Sequence, residues 1–373
     1  METYRLSSKL REKDKEYLIQ TANDAERGLV STMIYVDGVL AETVNCPHPA
    51  DIKPQDVLSF VKVTHAEKKK EVDALLQTYR RVLDSGDAET MSQLGTALYF
   101  KGLYNESREL FRSALALSPQ HHPSMNQLAL TELQLGNVPA AIAAAVQAVS
   151  VRPRFADYRN NLGEAYLADG DSRRAVGEFE EAININLYYA DAYFNLGLAH
   201  LLHLASNRDR SMLATVTTKV ADCLNKASLI FPGYKGETLE AGLAALKAGA
   251  IDKALYAIKS IREAKRESHR QEFAGFYMKF ILFPEWASER AIHDRIAFLE
   301  AEIAKNPTYV DLQTELAQCY IELSRQAWQK GIEHFRKTAE LSPTLPKLQS
   351  ALKESEKAYV TLCAAANVIA EKG

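Results

Sequence analysis

Residues 91–95 read Met-Ser-Gln-Leu-Gly, and related pentapeptides recur as Met-Asn-Gln-Leu-Ala at 125–129, Arg-Asn-Asn-Leu-Gly at 159–163 and Tyr-Phe-Asn-Leu-Gly at 193–197. The four starting positions are evenly spaced, with a period of thirty-four. A second position keeps the same period, with small residues at Ala114, Ala148 and Ala182. A repeat of this length is one pair of antiparallel helices, which must stack on neighbouring pairs to bury its apolar face. The period therefore predicts a mainly α fold, an α-solenoid of helix hairpins.

The period divides most of the chain into helical units. We assign five units to residues 88–268, a degenerate helical hairpin to 269–309, a further repeat-like unit to 310–345 and a C-terminal capping helix to 346–373. The fourth unit is expanded by eleven positions, because Ala227 and Pro232 come that much later than the period requires. Such an expansion makes about three helical turns, so both helices of that unit can lengthen while their buried faces stay in register.

The N-terminal region has a different character. The β-prone runs 29–36 and 39–44 flank Asp37-Gly38, and Asp-Gly between two such runs is a strong hairpin signal. With the run 17–22, residues 1–53 are predicted to form a small antiparallel module of two or three strands. Residues 54–86 then show apolar residues at helical spacing and predict a long amphipathic helix that supports the sheet. His65 falls on its apolar side, and Lys68, Lys69, Lys70 and Glu71 are assigned to the opposite, solvated face.

Composition limits the function classes. The net charge is −3, whereas a general nucleic-acid binder is normally basic, so we expect no nucleic-acid partner. The four cysteines are scattered and are expected to be reduced thiols of a cytoplasmic protein. The charged N-terminus does not resemble a signal peptide, and no apolar run is long enough to insert into a membrane. Phosphate-binding, nucleophile-elbow and metal-ligand motifs are absent, so we expect no enzyme activity, no cofactor and no metal site.

The repeat resembles the tetratricopeptide repeat (TPR), which has Leu at position 7, Gly or Ala at 8, Tyr at 11, an aromatic residue at 24 and Ala at 27. The third unit matches this pattern with Leu162, Gly163, Tyr166, Phe179 and Ala182. The resemblance covers residues 88–345, is most specific in the first three units and is weak at 269–309. It implies a right-handed solenoid whose first helices line a concave groove, and a protein-interaction scaffold or adaptor. Residues 1–85 resemble no family known to us.

The resemblance also implies where a ligand would bind. Position 6 of the first helices faces the groove in this family, and here it is an amide in four successive units: Gln93, Gln127, Asn161 and Asn195. An amide donates and accepts, so a row of amides can pair with the backbone of an extended peptide, or it can bridge adjacent helices instead. We add Asn160, Glu164, Phe194 and Leu198 to the candidate peptide-binding groove.

The charge of this groove selects among ligands. Co-chaperones of the family clamp acidic tails with cationic side chains, but the matching positions here are Ser92, Thr96, Gln127, Asp157 and Asn161. Because the groove also has Glu89, Glu164 and Asp191, it favours an uncharged or basic segment or a partner helix over an acidic tail.

A second candidate surface consists of four cations on one helical stripe, Lys259, Arg262, Arg266 and Arg270, which would dock an acidic partner. Pairing within their own helix, with Glu263 and Glu267, is the simpler interpretation. The whole chain is thus interpreted as a non-catalytic adaptor for partner proteins. The alternatives are a self-assembling structural subunit, an accessory subunit of a larger complex, and a peptide-sensing regulator.

Overall fold

The computed structural model describes residues 3–12, 15–49, 51–206, 213–276, 288–305, 310–341 and 346–370. The chain divides into two compact units, residues 1–136 and 137–373. Most of the described residues are helical, and the strands lie at the N-terminus. The predicted fold class, a mainly α chain with a small antiparallel sheet module, is therefore confirmed.

The first unit begins with a four-stranded antiparallel sheet, in which the strands follow one another in sequence order: β1 (Arg5–Glu12), β2 (Lys15–Asp24), β3 (Leu29–Val36) and β4 (Val39–Pro47). The turn between β3 and β4 is the predicted one, with positive φ at Asp37 (49°) and Gly38 (82°). The sequence predicts two or three strands and misses β1. This strand lies at the edge of the sheet and exposes charged residues such as Lys9 and Arg11, so its apolar signal is weak.

Helix α1 (Val57–Ser85) packs across β1, β2 and β3. Val57 and Val61 of the helix form a buried cluster with Val30 of β3. His65 lies between helix and sheet as the periodicity predicts, and its ring bonds to Ser8 Oγ at 2.8 Å and to Thr21 Oγ1 at 3.0 Å. Burial, together with the nearby Lys69 ammonium, lowers the pKa of His65.

The prediction that Lys68, Lys69, Lys70 and Glu71 form a solvated face of α1 is wrong for two of these four residues. Lys69 and Lys70 are exposed, but Lys68 is buried and lies 2.9 Å from Glu42 of β4 and 3.1 Å from Glu71. Lys101, just after the next helix, also pairs with both carboxylates and lies 3.1 Å from Glu42. These two lysines and two glutamates form a charge-balanced cluster, which we call the buried ion cluster. Lys68 lies two helical turns after Val61 and one turn before Val72, so it falls on the stripe of α1 that faces the core. A charged side chain therefore occupies a position at which the periodicity calls for an apolar one.

Three helices complete the first unit: α2 (Ala88–Phe100), α3 (Tyr104–Leu117) and α4 (His122–Gln134). The buried carboxylate of Glu106 on α3 accepts hydrogen bonds from Tyr17 OH (2.9 Å) and Lys15 Nζ (2.5 Å) of β2. The sheet is therefore bonded directly to the first helix pair, and the two belong to one core.

The second unit begins with α5 (Val138–Val151), α6 (Ala156–Ala168), α7 (Ser172–Ile185), α8 (Ala190–Ser206), α9 (Leu213–Ile230), α10 (Glu237–Lys247) and α11 (Ile251–Phe276). Consecutive helices pack as the antiparallel pairs α6 with α7, α8 with α9 and α10 with α11. Each of these pairs buries small residues where the backbones approach each other, such as Ala175, Ala227 and Ala254.

The closest approach in a pair lies at a glycine. A Cβ atom on Gly163 of α6 would lie 2.5 Å from Cε1 of Phe179, and one on Gly95 of α2 would lie 2.8 Å from Cε1 of Phe111. The glycine and the ring are separated by the same number of positions in both pairs, and both rings are fully buried. The repeated Gly and Phe positions are therefore one packing device, in which the ring occupies the space that a Cβ would need.

The longer fourth unit keeps this device. Helices α8 and α9 have 17 and 18 residues, against 13 and 14 in α6 and α7. The group that faces Gly197 is Leu224, whose side chain would lie 3.2 Å from an added Cβ. The number of positions from Gly197 to Leu224 equals the number from glycine to phenylalanine in the shorter pairs plus the eleven positions by which the fourth unit is expanded. The described helices therefore take up the added length at their far ends, and residues 207–212 between them lie outside the described part.

The C-terminal helices are α12 (Glu289–Lys305), α13 (Val310–Leu341) and α14 (Pro346–Ala370). Ile292, Ile296 and Leu299 of α12 form a buried cluster with Cys319 of α13. Where the sequence predicts a repeat-like hairpin at 310–345, residues 310–341 form one continuous helix. The hairpins of the array turn at a glycine with positive φ, such as Gly102 (76°) and Gly170 (82°), and no residue of 310–341 has that conformation. Residues 277–287 and 306–309 of the predicted degenerate hairpin at 269–309 lie outside the described residues.

Replacing Gly163 by alanine tests the packing device. We expect Gly163→Ala to lower the free energy of unfolding by about 1–3 kcal/mol, because the new methyl group overfills the space taken by Phe179. Gly177→Ala is the matched control: this glycine lies inside α7 and has no atom within 4 Å of an added Cβ. It should raise stability by roughly 0.5–1 kcal/mol, because alanine is the better helix former. Urea unfolding followed by circular dichroism measures both, and equal effects would contradict the close approach.

The buried ion cluster makes the first unit sensitive to acid. Burial opposes ionisation of Glu71, but the Lys101 and Lys68 ammonium groups outweigh it and lower its pKa to about 2. An unfolded glutamate titrates near pH 4.3, so this contribution is complete above about pH 5 and is lost as the pH falls toward 2. Hydrogen exchange of the α1 amides should show protection that falls across this window. In Glu71→Gln, protection of these amides should already be lower above about pH 5, and it should decrease less as the pH falls toward 2. A pH profile identical to that of the wild type would show that Glu71 does not contribute.

Candidate functional site

The second unit brings together four polar residues from the first helices of two consecutive pairs. Asn160 and Glu164 lie one turn apart on α6, and Asp191 and Asn195 lie one turn apart on α8. The repeat period places these helices side by side, so the two i, i+4 pairs form adjacent columns. We call these four residues the acidic–amide row.

Asn195 connects the two columns. Its Nδ2 atom donates to Asn160 Oδ1 and to Glu164 Oε1, both at 3.0 Å. Asn160 and Asn195 are both buried, and Asn160 Nδ2 lies 3.5 Å from Asn161 Oδ1. Asn195 therefore bridges adjacent helices, which is the role that the sequence left open beside peptide binding. The bridge also fixes the Glu164 carboxylate through one of its two oxygens.

The second oxygen, Oε2, is engaged by a cation from another helix. Arg266 of α11 hydrogen-bonds to Glu164 Oε2, and the neighbouring Lys265 hydrogen-bonds to Asp191 Oδ1. A second helix of the length of α7 would end at residue 264 in α11. Lys265 and Arg266 are therefore the first residues of an extension, residues 265–276, and this extension meets the acidic–amide row.

Lys265 lies in a well-defined socket. Its Nζ atom donates to Tyr234 OH at 3.0 Å and lies 4.4 Å from the centroid of the Tyr234 ring and 4.6 Å from that of Phe231. Tyr234 OH in turn donates to Asp191 Oδ1 at 2.6 Å. One carboxylate, one phenol and two aromatic faces thus surround the ammonium group, and cation–π attraction adds to the ion pair.

The charge of Asp191 depends on this socket. Burial alone would raise its pKa, but the Lys265 ammonium and the hydrogen bonds from Lys265 and Tyr234 outweigh burial, and the pKa of Asp191 is lowered. Arg262 lies one turn before Arg266 on α11 and is half-buried; burial and the charge of Arg266 lower its pKa. Asp191 therefore stays anionic at neutral pH beside the Lys265 ammonium group.

The structure separates the predicted groove residues. Gln93 and Gln127 lie in the first unit, on α2 and α4, where Gln93 Nε2 donates to Glu89 at 3.0 Å. Asn160, Asn161, Glu164 and Asn195 lie together in the second unit. Phe194 and Leu198 are core residues instead of groove residues, since both are fully buried and Phe194 stacks on Tyr234 at 4.4 Å. The sequence places these two at the groove because their helix is apolar on more than one side.

The predicted cationic surface is also divided. Lys259 is exposed, Arg270 pairs with Glu267 of its own helix at 2.8 Å, and Arg266 binds Glu164 of α6. Intrahelical pairing, the simpler interpretation, therefore holds for Arg270 and for Arg262, which lies 3.7 Å from Glu263. Arg266 lies 4.0 Å from Glu263 as well, but its closer partner is Glu164 of another helix. Tyr234 is missing from the sequence prediction; it follows Pro232-Gly233 after α9, and no feature of the repeat marks it.

No group of three or more metal-ligating side chains exists among the residues that the structure describes. In the same part of the chain, no helix has the length and apolarity needed to cross a membrane. The described cysteines, Cys46, Cys223 and Cys319, are free, and burial raises the pKa of Cys223 and of Cys319 to about 11. Such thiols are poor nucleophiles at neutral pH.

Antiparallel helix pairs that stack on their neighbours place this chain in the class of helical-repeat proteins. Residues 92–148 and 126–186 match a family model described as tetratricopeptide repeat. Residues 92–186 are therefore tetratricopeptide repeats, and the resemblance read from the sequence is confirmed there. Repeats of this family are protein-interaction modules, so the fold supports a protein-interaction scaffold.

Three solved structures are similar to parts of this chain. TTC0263, a TPR protein of Thermus thermophilus, is 24% identical, with 51% of this chain and 98% of that chain covered and a TM-score of 0.37. MamA of Desulfovibrio magneticus is 17% identical, with 48% and 97% covered and a TM-score of 0.36. A tetratricopeptide repeat protein of Parabacteroides merdae is 13% identical, with 75% and 99% covered and a TM-score of 0.35. The comparison with curated proteins finds no match.

The Asn195 bridge can be tested by its removal. We expect Asn195→Ala to lower the free energy of unfolding by about 1–3 kcal/mol, because Asn160 Oδ1 and Glu164 Oε1 both lose their donor. Asn225→Ala, on the exposed face of α9 in the same unit, should change stability by less than about 0.5 kcal/mol. Urea unfolding measures the free energy of unfolding of both variants. A decrease of equal size in the two would mean that Asn195 does not hold the row together.

Proposed function

We propose that this chain is a non-catalytic interaction scaffold whose acidic–amide row binds a basic or uncharged, non-acidic segment of a partner protein. The observation that carries the proposal is the composition of the row. It combines two carboxylates with two amides, and its contacts with α11 are made by a lysine and an arginine. A site of this charge repels an acidic tail and attracts a cationic segment.

The geometry supports binding as well as charge. Asn195 fixes the Glu164 carboxylate before any ligand arrives, so little side-chain freedom is lost on binding. The side chain of Glu164 is 13% exposed and that of Asp191 is 32% exposed. Both carboxylates are therefore reachable from outside the helices and are still shielded enough to form stronger ion pairs than a freely solvated pair.

The absence of catalysis and the cytoplasmic location are parts of the same proposal. The described cysteines are unpaired, which suits a reducing compartment. The thiols of Cys223 and Cys319, with raised pKa values, are not activated nucleophiles. The side-chain bonds of the row connect helices and hold charge, and none of them pairs a nucleophile with a general base.

Affinity capture with a neutralised row tests the proposal. Glu164→Gln/Asp191→Asn removes both carboxylates with little change in shape, and we expect it to lose the partner proteins that the wild type retains by at least tenfold in quantitative mass spectrometry. Glu180→Gln/Glu181→Gln, on the exposed face of α7, makes the same change in net charge and should retain them. An unchanged set of partners with the neutralised row would refute the proposal, as would an equal loss in the control.

A further inference from the structure

The acidic–amide row already has an occupant within the same unit, the extension of α11. The first half of α11 belongs to the core, with Ala254 and Ile258 fully buried against α10 and the preceding pair. The extension, residues 265–276, begins where a second helix of ordinary length would end. Its first two residues make the contacts with Asp191 and Glu164.

We propose that the α11 extension is an intramolecular ligand of the row, and that a partner binds by presenting a helix with the same Lys-Arg pair and displacing it. This inference rests on the proposed function and specifies the partner and its regulation. The lysine of the partner enters the socket of Asp191, Tyr234 and Phe231, and its arginine binds Glu164. Occupancy by α11 keeps the scaffold closed until such a partner is present in sufficient concentration.

The contacts have the properties that a displaceable ligand needs. The side chains of Lys265 and Arg266 are 22% and 38% exposed, so both cations are within reach of water, which can solvate them when they leave the row. The residues of α11 that join the buried core cluster of this unit, such as Ile251 and Ile258, lie in its first half, before the extension. Within the extension, Ala274 is buried and Phe273 is half-buried. Release of the extension therefore exposes these two side chains but leaves intact the core cluster that fixes the first half of α11.

The socket also provides specificity beyond charge. Cation–π contacts within 4.6 Å and the phenol of Tyr234 favour a compact ammonium group at the first position. Glu164 offers its second carboxylate oxygen to the next position, where the guanidinium group of Arg266 binds. Two adjacent cations in the order Lys-Arg are thus distinguished from the order Arg-Lys, although both have the same charge.

The test uses the full chain and a fluorescein-labelled peptide of residues 259–276. In Lys265→Ala/Arg266→Ala the row is intact but its own ligand is removed. We expect this variant to bind the peptide roughly 10- to 100-fold more tightly than the wild type, in which the row is open only a fraction of the time. Lys247→Ala/Lys253→Ala removes the same charge from exposed positions of α10 and α11 and should bind like the wild type.

Two further variants identify the site of binding. Adding Glu164→Gln/Asp191→Asn to the open variant should abolish peptide binding. A peptide with Lys265→Arg/Arg266→Lys should bind the open variant at least fivefold more weakly than the natural peptide. Hydrogen exchange provides an independent measurement: the amides of residues 265–276 should lose protection in the open variant and keep it in the Lys247→Ala/Lys253→Ala control.

The outcomes separate this inference from the proposed function. Equal peptide affinity for wild type and open variant, with dependence on Glu164 and Asp191, would overturn the displacement but leave the row as a binding site. Failure of the peptide to bind the open variant, while captured partners still require the row, would overturn the Lys-Arg helix as the ligand. A wild-type dimer in light scattering that Lys265→Ala/Arg266→Ala dissociates would show that the extension binds a second copy, and would overturn the intramolecular contact.

Discussion

The close approach of two helices at a glycine is the constraint on which the array depends. Phe179 occupies the volume that a Cβ atom on Gly163 would need, and Phe111 does the same opposite Gly95. This contact fixes how each first helix lies against its second helix. It recurs with Leu224 opposite Gly197, although both helices of that pair are longer. Because α6 and α8 are held alike, the polar residues on their other faces fall into neighbouring columns, and the row exists for that reason.

Much of this organisation can be predicted from periodicity, because a buried face repeats with the helical period and a hairpin turn needs particular residues. The repeated Gly and Phe positions and the Asp37-Gly38 turn are examples. Periodicity does not report which charges meet. Lys68 lies on the buried stripe of α1, and its burial is tolerable because Glu42, far away in sequence, pairs with it together with Glu71 of the same helix. The same limit hides strand β1, whose place is set by pairing with β2.

The two candidate surfaces illustrate this limit at the functional site. The sequence presents an acidic groove and a cationic stripe as separate binding surfaces for separate partners. In the structure, Arg266 of the stripe binds Glu164 of the groove, and Lys265 binds Asp191. Complementary charge within one chain is thus the simplest explanation for both patterns. A surface that is recognised by its charge alone can therefore have its partner in the same chain, and a search for external partners has to account for that internal competitor.

Ion pairs of similar chemistry serve different purposes in the two units, and burial makes the difference. In the first unit, Lys68 and Glu42 are each less than a tenth exposed, and each charge has a partner in a fixed position. Removing one member there leaves an unpaired charge in a low dielectric, so the unit keeps its full stability only while the buried ion cluster is intact. In the second unit, about a third of each of the Asp191 and Arg266 side chains is exposed, so water can replace a departing partner. The first arrangement stabilises a fold, and the second allows one cationic helix to be exchanged for another.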